Sequence, residues 1–184
     1  VVQNVKFGLP GHHNLTNALL AFAMAKSYGV SNEKIIAALA SFQGVRRRFS
    51  FQIREEKLVY IDDYAHHPTE INAVHQAVRE LYPGKKIIAA FQPHLFSRTK
   101  DFVDGFAESL SKFDEILLLE IYPARELPME GVNSTWLLNK IDNINKKLVS
   151  KDELFTAFEN SDADVFITIG AGDIGELVKD LKKA

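Results

Sequence analysis

Cysteine is absent from this chain of 184 residues, which excludes disulfide bridges and zinc sites built on thiolates. Long apolar runs are missing too, and no stretch approaches the roughly 18 residues that a membrane-spanning helix needs. The 22 basic and 24 acidic residues leave a formal net charge of only -2, so no bulk field attracts nucleic acid or an anionic membrane. We therefore expect no nucleic-acid or membrane partner. The lack of cysteine also fits a cytoplasmic protein.

An initiating methionine and any signal or transit pattern are also missing, because the sequence begins at Val1. We expect the chain to be part of a longer protein. A length of 184 residues allows one domain, or one domain plus a piece of another.

Residues 1–43 predict a strand followed by two short helices. The β-rich run Val2–Phe7 ends at a turn rich in glycine and proline, and apolar residues then recur at helical spacing in two segments, which predicts an αα-hairpin. The segment 44–50 breaks this pattern with a glycine and three arginines, as linkers do. We predict that 1–43 is the tail of a neighbouring domain, 44–50 a hinge and 51–184 a domain of its own.

Beyond the hinge, strand and helix patterns alternate along the chain. This alternation predicts an α/β fold of the Rossmann-like kind, with a mostly parallel sheet and helices on both faces. The predicted strands lie at 51–53, 58–61, 86–91, 115–119, 147–149 and 164–169. The predicted helices lie at 69–82, 100–110, 135–141, 152–159 and 174–182.

The densest group of chemically active side chains follows the second of these strands. It reads Asp62-Asp63-Tyr64-Ala65-His66-His67, and ligands of open α/β sheets bind at such strand ends. A carboxylate there can accept both hydroxyls of a ribose, and an imidazole can donate to an anion or take a proton near neutral pH. Two alternatives remain, a turn of solvated charges and a metal site. Adjacent histidines point apart on a strand, and no second cluster supplies further ligands.

Two further groups are candidates for the same site. His94 and Arg98 follow the next strand, and a planar guanidinium pairs well with a carboxylate or phosphate, although Arg98 could instead pair with Asp101 at the surface. Asn14 and Asn17 lie three residues apart near the start of the first helix, where two amides can contact a purine edge. The alternative for Asn14 is a simple N-cap.

Two motifs are less informative. Gly170-Ala171-Gly172-Asp173-Ile174-Gly175 matches the G-x-G-x-x-G dinucleotide pattern, but that fingerprint needs a further strand and an acidic residue about 20 positions on. We expect only a tight turn near the ligand crevice. The arginine run 46–48 is too short for a nucleic-acid arm, although one of its members could reach a phosphate at the hinge.

Taken together, four ordered motifs resemble those of the Mur ligase family, and the resemblance spans nearly the whole chain. They are Gly11–Asn17, Gly44–Phe49, Asp62–Glu70 and Phe91–His94. The resemblance implies a tail of a central P-loop ATPase domain in 1–43 and a C-terminal Rossmann-like domain in 51–184. The chain contains no G-x-x-x-x-G-K-[ST] sequence, so by itself we expect it to be inactive.

For the full-length enzyme, the resemblance implies ATP-dependent addition of L-alanine to UDP-N-acetylmuramate through an acyl phosphate. Magnesium would accompany ATP, with most of its ligands in the absent upstream domain, and we predict no metal ligands in this chain. The residues implied for the nucleotide are Asn14, Asn17, Arg48 and Asp63. Those implied for the amino-acid substrate are Tyr64, His66, His94, Arg98 and Arg125, with His66 and Arg98 as the catalytic candidates.

One position departs from the family pattern. Leu95 stands where many members have an arginine, which removes a cation from the implied amino-acid pocket. Either Arg98 or Arg125 then suffices for the carboxylate, or the pocket is built differently.

Three other functions stay open from the sequence. Within the same family, a ligase that recycles murein peptides has a very similar histidine motif. A metal-dependent phosphoesterase could use the same acids and histidines. A small nucleotide-binding or regulatory module is the alternative that is not an enzyme.

Overall fold

The structure is a computed structural model that describes residues 5–183. Its helices are α1 (His12–Ser27), α2 (Asn32–Ser41), α3 (Pro68–Leu81), α4 (Phe96–Asp101), α5 (Val103–Leu110), α6 (Ser134–Lys140), α7 (Lys151–Glu159) and α8 (Ile174–Leu181). Its strands are β1 (Ser50–Arg54), β2 (Val59–Asp63), β3 (Ile87–Phe91), β4 (Glu115–Leu118), β5 (Lys146–Leu148) and β6 (Val165–Ile169).

The six strands form one sheet in the order β1-β2-β6-β3-β4-β5. Only β1 is antiparallel to its neighbour, and the other four pairings are parallel. Every residue of β2, β3 and β6 is buried, as expected where helices cover both faces of a parallel sheet. The predicted α/β fold is confirmed.

Helices cover the two faces in separate groups. Helices α3, α5 and α6 pack on one face, where Ile61, Ala89 and Ile167 point into the core. Helices α7 and α8 pack on the other, against Tyr60 and Phe166. These strand residues belong to opposite faces because successive side chains of a strand alternate.

The predicted helix 100–110 is wrong in extent. The structure has two helices there, α4 and α5, and Phe102 separates them with φ -119° and ψ 20°. The predicted strand Val2–Phe7 lies partly outside the described residues, and its described part, Val5–Phe7, is not in a strand.

The predicted αα-hairpin is present as α1 and α2. No residue of α1 is buried, and Ile35 is the one buried residue of α2. Within residues 5–183, no helix is both long and apolar enough to cross a membrane.

Strand register decides which loops meet. Asp63, Phe91 and Ile169 are paired across β2, β6 and β3, so these three strands end at one level. The segments that follow them begin at Tyr64, Gln92 and Gly170, and they share the carboxyl edge of the sheet.

Candidate functional site

Asp63 is the last residue of β2 and is held by backbone on both sides. One carboxylate oxygen accepts from the backbone N–H of Phe49 (2.6 Å) and the other from that of Ala65 (2.7 Å). The side chain is 5% exposed. Burial raises the pKa of Asp63 to about 6, although both backbone hydrogen bonds and Arg48 favour the charged form.

A cavity of about 850 Å³ lies between the α1–α2 hairpin and the start of α3. Asn14, Asn17, Arg48 and Asp63, the four residues predicted for the nucleotide, all line it. Much of the remaining lining is apolar. It includes Phe7, Leu9, Ala18, Ala21, Phe22, Leu39 and Val45. We call this cavity the hairpin groove.

The two asparagines are arranged differently within the groove. Asn14 donates from Nδ2 to the carbonyl of Pro10 (2.7 Å), whereas Asn17 is exposed. The alternative of Asn14 as N-cap is wrong, because Gly11 occupies that position with φ 88°. Positive φ is easy for glycine and costly for other residues.

Arg48 extends from the hinge toward the start of α3. Its guanidinium lies 3.8 Å from Glu70 and 5.7 Å from the ring centroid of Tyr64. The side chain is half-exposed, so these contacts are weak and the charge stays accessible.

A second cluster lies beside the groove, where the segments after β2 and β3 meet. Nδ1 of His66 lies 2.9 Å from the carbonyl oxygen of Tyr64 and 3.4 Å from Glu70. Because a carbonyl only accepts, this contact places a hydrogen on Nδ1 and leaves Nε2 free. The rings of His66 and His94 are 6.4 Å apart.

His94 and Arg98 contact each other, as their positions after one strand predict. Nη1 of Arg98 lies 3.3 Å from Nδ1 of His94, and the His94 ring stacks on Tyr122 at 5.7 Å. Desolvation first and Arg98 second lower the pKa of His94. Within residues 5–183, Arg98 forms no ion pair with Asp101, so that alternative is wrong; Arg98 contacts His94 instead.

Tyr64 contacts both the nucleotide candidates, through Arg48, and the histidine cluster. Its ring lies edge-on to His66, with centroids 5.4 Å apart, and 5.7 Å from the Arg48 guanidinium. Arg125 does not join either group in this structure. It is exposed and makes no ion pair or side-chain hydrogen bond within the described part of the chain.

Several residues at the site were missed by sequence reasoning. Glu126 holds the start of α4 by accepting from the backbone N–H of Ser97 (3.0 Å) and from its hydroxyl. Gln92 connects β3 to the turn before α8, donating to Asp173 (2.7 Å) and accepting from the N–H of Ile174 (2.9 Å). Nothing in the sequence pattern marked these contacts, since their partners are distant in the chain.

Asp62 and Arg47 were also missed as a pair. Asp62 is 1% exposed and accepts from Arg47 Nε at 3.1 Å. Alternation along β2 was the available signal, because Asp62 and Asp63 must point to opposite faces. Asp62 is therefore a buried structural carboxylate.

The acids and histidines of the site do not form a set of metal ligands in the described part of the chain. Among residues 5–183, no group of three or more histidine, aspartate or glutamate side chains is placed to hold a metal ion.

The fold and the site define a Rossmann-like α/β domain with a crevice of apolar and polar residues at the ends of parallel strands, bordered by a helical hairpin. A sequence profile described as "Mur ligase, glutamate ligase domain" matches residues 47–172. The chain belongs to the Mur ligase family.

Curated relatives resemble the chain from end to end. It is 71% identical over 182 residues to the UDP-N-acetylmuramate–L-alanine ligase of Flavobacterium psychrophilum, covering 99% of this chain and 41% of that protein. The enzyme of the same name from Flavobacterium johnsoniae is 66% identical over 183 residues, covering 100% of this chain and 41% of that protein. The chain thus spans about two fifths of the length of these relatives.

Solved structures agree with the fold. The UDP-N-acetylmuramate-alanine ligase of Thermotoga maritima is similar with a TM-score of 0.81 and 30% identity, covering 99% of this chain and 40% of that one. A murein peptide ligase from Psychrobacter arcticus has a TM-score of 0.68 and 23% identity, covering 97% and 38%, which concerns the fold alone.

Proposed function

We propose that this chain is the C-terminal portion of an ATP-dependent ligase that joins L-alanine to UDP-N-acetylmuramate in peptidoglycan precursor synthesis, in the cytoplasm. In this proposal 1–43 is the tail of a central ATPase domain, 44–50 the hinge and 51–184 the C-terminal domain. The names of the two Flavobacterium relatives support it. The observation that carries it is the hairpin groove, which collects four nucleotide candidates beside the His66, His94 and Arg98 cluster.

The volume and the lining of the groove support ATP as its ligand. Its apolar lining suits a purine face, and Asn14 and Asn17, which line the same cavity, would bind the purine edge. Asp63 would bind the ribose hydroxyls, and the half-exposed Arg48 would bind phosphate oxygens. Magnesium would accompany ATP, with most of its ligands outside this chain.

The amino-acid side supplies a cation and a proton acceptor. Arg98 would bind the substrate carboxylate, with His94 fixing the guanidinium at 3.3 Å. His66 presents Nε2, because Nδ1 is turned to the Tyr64 carbonyl. Nε2 can accept a proton from the amine as the amine attacks the acyl phosphate.

Nearby groups complete this pocket. Glu70, 3.4 Å from His66 Nδ1, would stabilise the imidazolium that results from proton transfer. Tyr64 and His94 would line the pocket, and Arg125 would stay at its exposed rim. Since Leu95 supplies no charge, Arg98 is the principal cation for the carboxylate.

The test uses steady-state kinetics of the full-length protein. Asp63→Ala should raise the KM for ATP by roughly 10-fold to 100-fold, the effect of losing hydrogen bonds to a charged group. Arg98→Ala should raise the KM for L-alanine by a similar factor and leave the KM for ATP nearly unchanged. Asp104→Ala and Arg54→Ala, two exposed positions, serve as matched controls.

Three results would contradict the proposal. Unchanged kinetics in both variants would remove the residue assignments. A preference for a peptide over L-alanine would favour the recycling ligase. A transition metal that survives dialysis, together with phosphatase activity, would favour the phosphoesterase.

A further inference from the structure

We propose that Arg47 is a positioning residue for the nucleotide half of the site. It fastens the hinge to the ends of β2 and β6 and thereby directs Arg48 and Asp63 into the hairpin groove. Gly175, which has no side chain, leaves room for the Arg47 guanidinium. The inference rests on the proposed function, because it assigns the nucleotide to this groove.

The Arg47 guanidinium is committed to protein partners. Nε donates to Asp62 Oδ2 at 3.1 Å, and Nη2 donates to the carbonyl of Gly170 at 2.7 Å. The guanidinium also lies 5.1 Å from the Tyr64 ring centroid, and the side chain is 18% exposed. Two of its five N–H donors are held by Asp62 and Gly170, and most of its surface is covered, so Arg47 is less accessible to a phosphate than the half-exposed Arg48.

Asp62 connects this arginine to the centre of the sheet. Its second oxygen accepts from the hydroxyl of Thr168 at 2.9 Å, and that hydroxyl lies 3.1 Å from the hydroxyl of Tyr60. All three side chains are buried. Removing Arg47 would leave a buried carboxylate without its charge partner, which is the costly way to break such a pair.

The hinge also connects two of the four nucleotide candidates, Arg48 and Asp63. Tyr64, the residue directly after Asp63, donates its backbone N–H to the carbonyl of Arg47 at 2.7 Å. Phe49, the residue directly after Arg48, donates its backbone N–H to Asp63 Oδ2. The hinge backbone and the end of β2 are thus joined on both sides of Arg48 and Asp63, and the Arg47 guanidinium anchors that stretch of backbone to Asp62 and Gly170.

The backbone of the hinge requires such an anchor. Arg47 has φ 60° and Phe49 has φ 47°, a left-handed conformation that is uncommon for residues other than glycine. Two such residues so close together persist only where the surrounding contacts hold them. The guanidinium contacts and the burial of Phe49 are the contacts available.

The glycine motif after β6 explains how Arg47 fits. A Cβ at Gly175 would overlap the Arg47 guanidinium, and one at Gly172 would lie 2.7 Å from Cβ of Tyr122. Gly175 lies in α8 without a positive φ, so space is its requirement. In this structure the motif serves close packing of site residues.

A double-mutant cycle on the full-length ligase tests the inference. Arg47→Ala should raise the KM for ATP by about 10-fold while the KM for L-alanine changes less than about 2-fold. Arg47→Lys should recover part of the loss, since it keeps the charge near Asp62 but not the fork. Arg46→Ala, an exposed neighbour, should change neither KM.

Gly175→Ala gives the sharper result. Alanine is the better helix former, so helix propensity alone predicts a more stable protein with an unchanged KM for ATP. The overlap with Arg47 predicts a raised KM for ATP. In the Arg47→Ala background the overlap is gone, and Gly175→Ala should add less than about 2-fold to the KM for ATP. If Arg47→Ala fails to fold, Gly175→Ala and Arg47→Lys still carry the test through the split between the two KM values.

Contradiction would take one of two forms. Equal rises in both KM values would show a general structural role. If Gly175→Ala raised the KM for ATP as much in the Arg47→Ala background as in the wild type, Gly175 would not act by leaving room for Arg47. Failure of the proposed function is recognised separately. In that case the wild-type protein would not turn over ATP with L-alanine, while Arg47 and Gly175 would still be coupled in urea unfolding.

Discussion

The α1–α2 hairpin and the sheet domain differ in how far their apolar side chains are buried. Leu19 on α1 is 68% exposed, and Leu15, Leu20 and Met24 are also exposed. In the sheet, Phe166 is 0% exposed and packs against Tyr60 and Phe158. The sheet domain buries its own core, whereas the hairpin leaves apolar side chains in solvent.

This difference shows that helical spacing of apolar residues does not by itself decide burial. Helix α3 has such spacing and buries Ile71, Val74 and Val78 because a sheet lies beneath it. Helix α1 contacts α2 and α3, and no sheet lies directly beneath it among the described residues. Under our proposal that 1–43 belongs to a neighbouring domain, the missing surface lies in that domain.

The largest effect should come from removing a core ring. We expect Phe166→Ala to lower the free energy of unfolding by about 3–5 kcal/mol, through lost burial and the cavity that remains. Phe42→Ala is the matched control beside the hairpin, at 44% exposure, and it should cost much less. Urea unfolding of the chain measures both. Equal losses would end the contrast between the two regions.

A smaller effect should appear in the titration of buried and exposed acids. The folded pKa of Asp63, about 6, is above its unfolded value, so the folded state binds more protons between pH 4 and 6. Its contribution to stability is therefore present below about pH 4 and lost as pH rises through 6, roughly 3 kcal/mol in all.

Carboxyl NMR titration tests this directly. Asp63 should titrate near pH 6 and Glu33 of α2 below the ordinary range, because hydrogen bonds from its own N–H and from Ser31 lower the pKa of that exposed glutamate. An ordinary aspartate midpoint for Asp63 would contradict the burial that distinguishes the sheet domain.

The smallest effect should be on the hairpin surface. We expect Leu19→Ala to change the free energy of unfolding of this chain by less than about 0.5 kcal/mol, since the side chain is mostly in solvent. In the full-length protein the same substitution should cost more, because the neighbouring domain would cover the helix. An equal, small loss in both would argue against assigning 1–43 to that domain.

Much of the fold could be predicted because local patterns carry it. The buried strands β3 and β6 were predicted to within one residue, since short apolar runs with β-branched residues indicate covered strands. The break at Phe102 could not be predicted, because nothing in the local pattern indicates that the helix is interrupted there.

The candidate site was predictable to the extent that strand ends converge. His66, His94 and Arg98 were expected at one edge, and strand register brings them there. The partners Tyr122 and Glu126 could not be assigned, because they approach through a loop whose path the sequence does not describe. Arg47 was hidden within a run of three arginines that look equivalent in sequence.

The amino-acid sequence by itself determined the alternation of strands and helices, the family, and the residue types that gather at the strand ends, because these depend on local periodicity and short motifs. Only the tertiary structure decided that Asp62 faces inward to Arg47 while Asp63 faces the hairpin groove, and that Gly175 is small to admit a guanidinium. Alternation along β2 separates the two aspartates, but the partners that each one meets depend on contacts between different segments, such as Arg47 with Gly170 and Asp62 with Thr168, and local sequence does not specify them.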